Sequence, residues 1–183
     1  MGVIGHNGGP ALAPGASWRR HCWGKARRDL LPVLPIEVLR TRVARARELG
    51  LEYRTYAGVR AQTGQDVVAF LFSSNALRVS REAPRLPEDR AAKLAGVQAV
   101  ARIGLAVAPL SAGALAENPE LDAAHGAPWA LAGFGAQARH LRAVLGRVPG
   151  DRVLLIGDHG LERDWCAAGR LAGYVPASAY FGG

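Results

Sequence analysis

The stretch Val153–Pro176, VLLIGDHGLERDWCAAGRLAGYVP, decides how the rest of the chain is read. Val153 to Ile156 are apolar without interruption, the pattern of a strand covered on both faces. Gly157-Asp158 breaks the run, LERDWCAAGRLAG reads as a helix, and YVP reads as a short last strand. Asp158 ends the first strand, and a second aspartate, Asp164, follows within two turns. The segment therefore looks like a strand running into a helix, with a carboxylate at the junction.

The same alternation extends towards the N-terminus. Val67–Phe72, in DVVAFLFSSN, is a second covered strand, and AVARIGLAVAPL (residues 99–110) is a third. Between them RLPEDRAAKLAG has Pro87 at a helix start, Glu88 and Asp89 in the first turn and Lys93 near the end, complementing the helix dipole. NPELDAAHGAP (residues 118–128) reads as loop. WALAGFGAQARHLRAVLG then places Phe134, Ala138, Leu141 and Leu145 at helical spacing, with Gly146 as stop. Covered strands alternating with helices predict an α/β, Rossmann-like three-layer fold whose short parallel sheet has about three or four strands. In such sheets ligands lie beyond the carboxyl ends of the strands. Ser73-Ser74-Asn75, Ala108-Pro109 and Asp158-His159 all fall at those ends.

Charge is distributed unevenly. The 183 residues carry a net charge of +8, yet residues 1–60 hold 11 of the 23 basic groups and only 4 of the 15 acidic ones. A field concentrated in that third attracts phosphate backbones or other polyanions, or it serves only solubility. SWRRHCWGKARRDLL (residues 17–31) mixes Trp18 and Trp23 with Arg19, Arg20, Lys25, Arg27 and Arg28. Guanidinium groups can meet phosphates while indoles stack on bases; equally, the rings can anchor a helix on the core. IEVLRTRVARARELG (residues 36–50), with Pro35 at its first turn, places Ile36, Leu39, Val43 and Ala46 on one stripe. Arg40, Arg42, Arg45 and Arg47 spread around the remaining surface. LEYRTYAGVRAQTG (residues 51–64) follows as a shorter helix that Gly58 interrupts. The predicted organisation is a Gly-rich arm at 1–17, a basic helical region at 18–64 and the α/β domain at 65–183, the last two forming one compact unit.

Composition sets outer limits. With 49% hydrophobic residues the chain can build a core, and no apolar run approaches the ~20 residues that span a bilayer. Cys22 and Cys166 lack any CxxC partner, which fits reduced thiols and a cytoplasmic location.

VLLIGDHGLERDWCAAGRLAGYVP resembles the fourth motif of the haloacid dehalogenase superfamily: an apolar strand, Gly-Asp, a second Asp, then an Ala-Gly spacing. VVAFLFSSN resembles the family's second motif, and AQARHLRAVLGRVPGDRVLLIGD its preceding basic helix, so the similarity spans about residues 65–176. The resemblance implies that Ser73 or Ser74 holds a phosphoryl oxygen, that Arg139 or Arg142 neutralises charge, and that Asp158 with Asp164 holds magnesium. It departs from the family at the first motif. There the family carries Asp-x-Asp, while the early segment GVIGHNGGPAL has His6 and Asn7 and no carboxylate. The interval from Asp158 to Asp164 is also long for the family.

Three functions follow as expectations. The first is a non-catalytic protein whose basic N-terminal region, with Trp18, Arg19, Arg20, Trp23, Lys25, Arg27, Arg28, Arg40 and Arg47, binds nucleic acid or another polyanion. Its phosphate-binding rim would be Ser73, Ser74, Asn75, Arg139, Arg142, Asp158 and His159. The second is a magnesium-dependent phosphohydrolase using Asp158, Asp164 and Ser73. The third is a regulatory scaffold that binds a protein partner through the arginine-rich helices. Each rim residue also has a purely structural role open to it: Asp158, Ser73 and Ser74 as caps, Asp164 as a surface ion-pair partner, and His159 as a pH-sensitive surface group.

Overall fold

The computed structural model describes residues 34–182. The described residues from Arg40 onward form one compact unit. Helices α1 (Ile36–Glu48) and α2 (Tyr53–Thr63) lead into strand β1 (Ala69–Ser73). Then come α3 (Glu88–Ala95), β2 (Ala101–Ala106), α4 (Ala112–Ala116), β3 (Ala123–Gly126) and α5 (Phe134–Leu145). The chain ends with β4 (Val153–Gly157), α6 (Glu162–Ala168), β5 (Gly173–Pro176) and α7 (Ala177–Phe181). Among the described residues no helix is long and apolar enough to cross a membrane.

The five strands form one all-parallel sheet in the order β3-β2-β1-β4-β5. The α/β expectation holds, with more strands than the sequence announced. The additional one is β3, in the segment read as loop. Ala123, Ala124, His125 and Gly126 offer no apolar run, and they become a strand only by pairing with Ile103–Ala106. The centre is legible for the opposite reason: every residue of β1 and β4 is buried. A strand with helices on both faces has no side to show to water, so it reads as continuous apolar sequence.

Side-chain alternation splits the core into two layers. Phe70, Phe72, Leu154 and Ile156 face one way and pack with Leu49, Tyr56, Leu94, Leu115 and Tyr180. Leu71, Leu105, Val153 and Leu155 face the other way and meet Leu141, Leu145 and Trp165. Leu141 and Leu145 are thus inward as predicted, whereas Phe134 is 61% exposed, because it lies at the first turn of α5. Gly58 does not interrupt α2, which continues to Thr63 and closes on Gly64 at φ 69°. Tyr180 is buried and its hydroxyl donates to the Leu49 carbonyl at 3.1 Å, tying the last helix to the turn after α1.

Arg45 is part of the framework rather than of a free basic face. Its guanidinium donates to Asp66 Oδ2 (3.1 Å), Glu48 Oε2 (2.9 Å) and the carbonyls of Val67, Gln98 and Ala99. One side chain thereby joins α1 to the approaches of β1 and β2. Five donors in a planar fork suit this task, which the point charge of a lysine would not perform. Tyr56 also donates to Asp66, at 2.9 Å.

The chain order creates a crevice. From central β1 the connections run outward through β2 to β3, and the chain then returns to β4 on the other side of β1. Carboxyl ends of β1 and β4 therefore adjoin, with Phe72 paired to Ile156, and the connections leaving them diverge.

Two outcomes test this frame. A Cβ on Gly150 would press on the Gly169 carbonyl oxygen and stand 2.8 Å from that of Arg170, backbone that cannot rotate away. Gly150→Ala is expected to lower stability by about 2–4 kcal/mol in chemical denaturation, while Gly133→Ala, which meets nothing within 4 Å, stays within about 1 kcal/mol. At Asp66 burial opposes ionisation, but the Tyr56 hydrogen bond, the Arg45 charge and the Val67 N–H outweigh it and hold the carboxyl below its usual range. A depressed value means that the stabilisation is complete above the unfolded pKa of about 3.9 and is lost as pH falls through the lower folded one. The stability gap between wild type and Asp66→Asn, followed by urea denaturation, is expected to be flat above about pH 5 and to shrink below about pH 4.

Candidate functional site

The crevice is organised by a residue that the sequence reading did not single out, Glu162. It opens α6, is only 2% exposed, and turns its carboxylate towards the ends of β1 and β4. Oε2 accepts from the Ser73 hydroxyl (3.0 Å), the Asp158 N–H (2.7 Å) and the His159 N–H (3.2 Å), and Oε1 accepts from Asn75 Nδ2 (2.9 Å). Four donors from two strand ends thus converge on one internal anion. Gly157 is required by the same arrangement: a Cβ there would stand 2.5 Å from Glu162 Oε2 and 2.6 Å from the Tyr174 ring. The Gly-Asp of the opening stretch makes room for a carboxylate four to five residues ahead of it.

Each serine of the rim is committed. Ser73 is fully buried, donates to Glu162 and accepts from the Ala76 N–H at 3.1 Å, so it caps the turn that leaves β1. Ser74 Oγ accepts from Val107 N–H, and its own N–H donates to the Leu105 carbonyl, stitching the ends of β1 and β2 together. Asp158 does not cap α6, whose N-cap is Leu161. Its exposed side chain lines a small cleft with Asn75, Arg78, Arg90 and Ser178. His159 is exposed and its carbonyl accepts from the Tyr174 hydroxyl at 3.4 Å.

The other predicted residues fall elsewhere. Arg142 lines a groove with Gly146, Val148 and Gly150, towards the amino end of β4 and away from the Glu162 cluster. Arg139 is exposed on α5. Asp164 borders a third depression, with Leu131, Phe134 and Leu161. Magnesium, which the family resemblance implies, would need Asp158 and Asp164 to share a point. They line separate depressions, the cleft of Asp158 is also lined by Arg78 and Arg90, and among the described residues no three His, Cys, Asp or Glu side chains converge as ligands. Of the predicted nucleic-acid contacts, Arg40 and Arg47 lie exposed on α1, while Trp18, Arg19, Arg20, Trp23, Lys25, Arg27 and Arg28 lie outside the described residues. Cys166 is partly buried, and burial pushes its thiol up and away from reactivity.

Comparison of the chain with family models, with curated proteins and with solved structures found no match.

Glu162 had a signal in the sequence. It precedes Trp165 by three residues and Ala168 by six, and all three share the buried stripe of α6. Set inside Glu-Arg-Asp, it reads instead as one of a solvated run. Replacing it by glutamine keeps the shape but sets an NH2 group against at least one of the four donors. Glu162→Gln is expected to cost about 2–3 kcal/mol in urea denaturation, several times the change at exposed Glu88→Gln.

Proposed function

We propose that the protein is a non-catalytic Rossmann-like domain that binds a phosphate-bearing ligand, nucleic acid, through its basic N-terminal region. The observation that carries the non-catalytic part is the Glu162 carboxylate. It occupies the ring of donors that would otherwise receive the oxygens of a reacting group, and it covers Ser73, the hydroxyl at the centre. A nucleophile must be reached by its substrate, and Ser73 is wholly enclosed.

The early sequence supports the same reading. Where the haloacid dehalogenase superfamily carries Asp-x-Asp, the comparable segment GVIGHNGGPAL has His6 and Asn7 and no carboxylate. Neither can accept a phosphoryl group as an aspartate does. Support for a polyanionic ligand comes from charge: 11 basic against 4 acidic residues in positions 1–60, interleaved with Trp18 and Trp23.

The reading is tested by a titration and an assay on the full chain. Fluorescence titration with single-stranded and duplex oligonucleotides is expected to show binding that weakens by orders of magnitude between about 50 and 200 mM salt. Salt-independent or absent binding removes the ligand assignment. Turnover of a generic phosphomonoester with magnesium, lost in Asp158→Asn, would overturn the non-catalytic assignment.

A further inference from the structure

Arg90 poses a question that the Glu162 cluster does not answer. It lies in α3, is only 3% exposed, and neither Nε nor Nη1 has a hydrogen-bond partner among the described residues. Asp89 Oδ2 stands 3.6 Å from Nε, beyond hydrogen-bonding reach, and the guanidinium carbon lies 4.1 Å over the Phe181 ring. A guanidinium keeps its charge at any physiological pH, and buried donors of a charged group are normally satisfied. Here two are not.

Those donors belong to a side chain that lines the cleft at the carboxyl edge, with Asn75, Arg78, Asp158, Ala177 and Ser178. Its volume is about 70 Å³. At the ~10–15 Å³ that a single water requires, it has space for about five waters, or for one tetrahedral oxyanion in their place. Arg78 adds a second cation and is held at φ 55°, a left-handed conformation that a non-glycine residue keeps only where its surroundings impose it. Burial and the nearby Arg78 charge both act to lower the Arg90 pKa, against Asp89 and Asp158. Two like charges therefore face one confined space, with a single carboxylate at its wall.

We propose that this cleft binds the phosphate group of a phosphoester, with Arg90 and Arg78 neutralising its charge. Arg90 supplies a permanent positive charge and N–H donors for the phosphate oxygens. The Ser178 hydroxyl, which also lines the cleft, adds a donor. Asp158 selects a ligand oxygen that still carries a proton, either that of a phosphate monoanion or an alcohol hydroxyl of the ester. No bond is made or broken, in keeping with the enclosed Ser73. None of the described residues that line the cleft falls within 1–60, so the proposal is tested separately from nucleic-acid binding by the N-terminal region.

The test is thermal unfolding and calorimetric titration of the full chain with inorganic phosphate and with adenosine 5′-monophosphate, ionic strength being held with chloride. The melting temperature is expected to rise with one or both ligands and not with chloride alone. A response to both shows that the free group suffices, and a response to the nucleotide alone shows that the ester is required. Arg78→Gly relieves the positive φ and should fold at least as well as wild type, while weakening the ligand about tenfold or more. Arg90→Met fills the same space without the unpaired donors, and should weaken the ligand about tenfold or more while leaving the free protein folded. If the wild type gains nothing from either ligand, the proposal is wrong. It is equally wrong if Arg78→Gly keeps the full response, because phosphate then sits on some other basic surface. Loss of oligonucleotide binding with an intact phosphate response removes only the nucleic-acid reading.

Discussion

A carboxylate enclosed at the meeting point of two strand ends organises the functional edge of this protein. Glu162, only 2% exposed, accepts from Ser73, Asn75 and two successive backbone N–H groups, each at hydrogen-bonding distance. In a low-dielectric surrounding such an anion is tolerable only because all its partners are present, and those partners are fixed only because it is there. The ends of β1 and β4 are therefore held together as a unit with the start of α6. Gly157 follows from the same constraint, since no larger residue leaves space for the carboxylate and Tyr174.

The arrangement also separates two kinds of place on one edge. On the face of the sheet that carries α6, the donor ring is filled from within. On the opposite face, between the loop after β1, α3 and α7, Arg90 and Arg78 line a space that no described side chain fills. Parallel sheets concentrate loops and backbone dipoles where the strand order reverses, so both places arise at the same reversal between β1 and β4. One is closed by an internal anion and the other is open to an external one.

The basic character of the chain is less uniform than its net charge suggests. Arg45 spends its guanidinium on Asp66, Glu48 and three carbonyls. Arg102 pairs with Asp122 at 2.8 Å and so fixes edge strand β3 to β2. Arg90 is buried over an aromatic ring. Arginines that look equivalent along the sequence thus divide into clasps, a cleft wall and solvent-facing charge such as Arg47, a division set by which groups stand next to each in space.

Sequence alone determined the parallel α/β architecture, because strands buried on both faces must be apolar throughout and β1 and β4 are. It also placed Ser73, Asn75 and Asp158 on one rim, since parallel strands put equivalent ends on the same edge. It did not reveal β3, whose four residues carry no periodicity and depend on their neighbour for hydrogen bonds. Nor did it reveal Glu162 and Arg90, charged residues in charged surroundings whose burial shows only as helical spacing from Trp165 and Leu94. Nor could it separate Asp158 from Asp164. Whether two carboxylates face one point depends on how α6 is rotated against the sheet, and the packing of Trp165 and Glu162 into the interior decides that rotation.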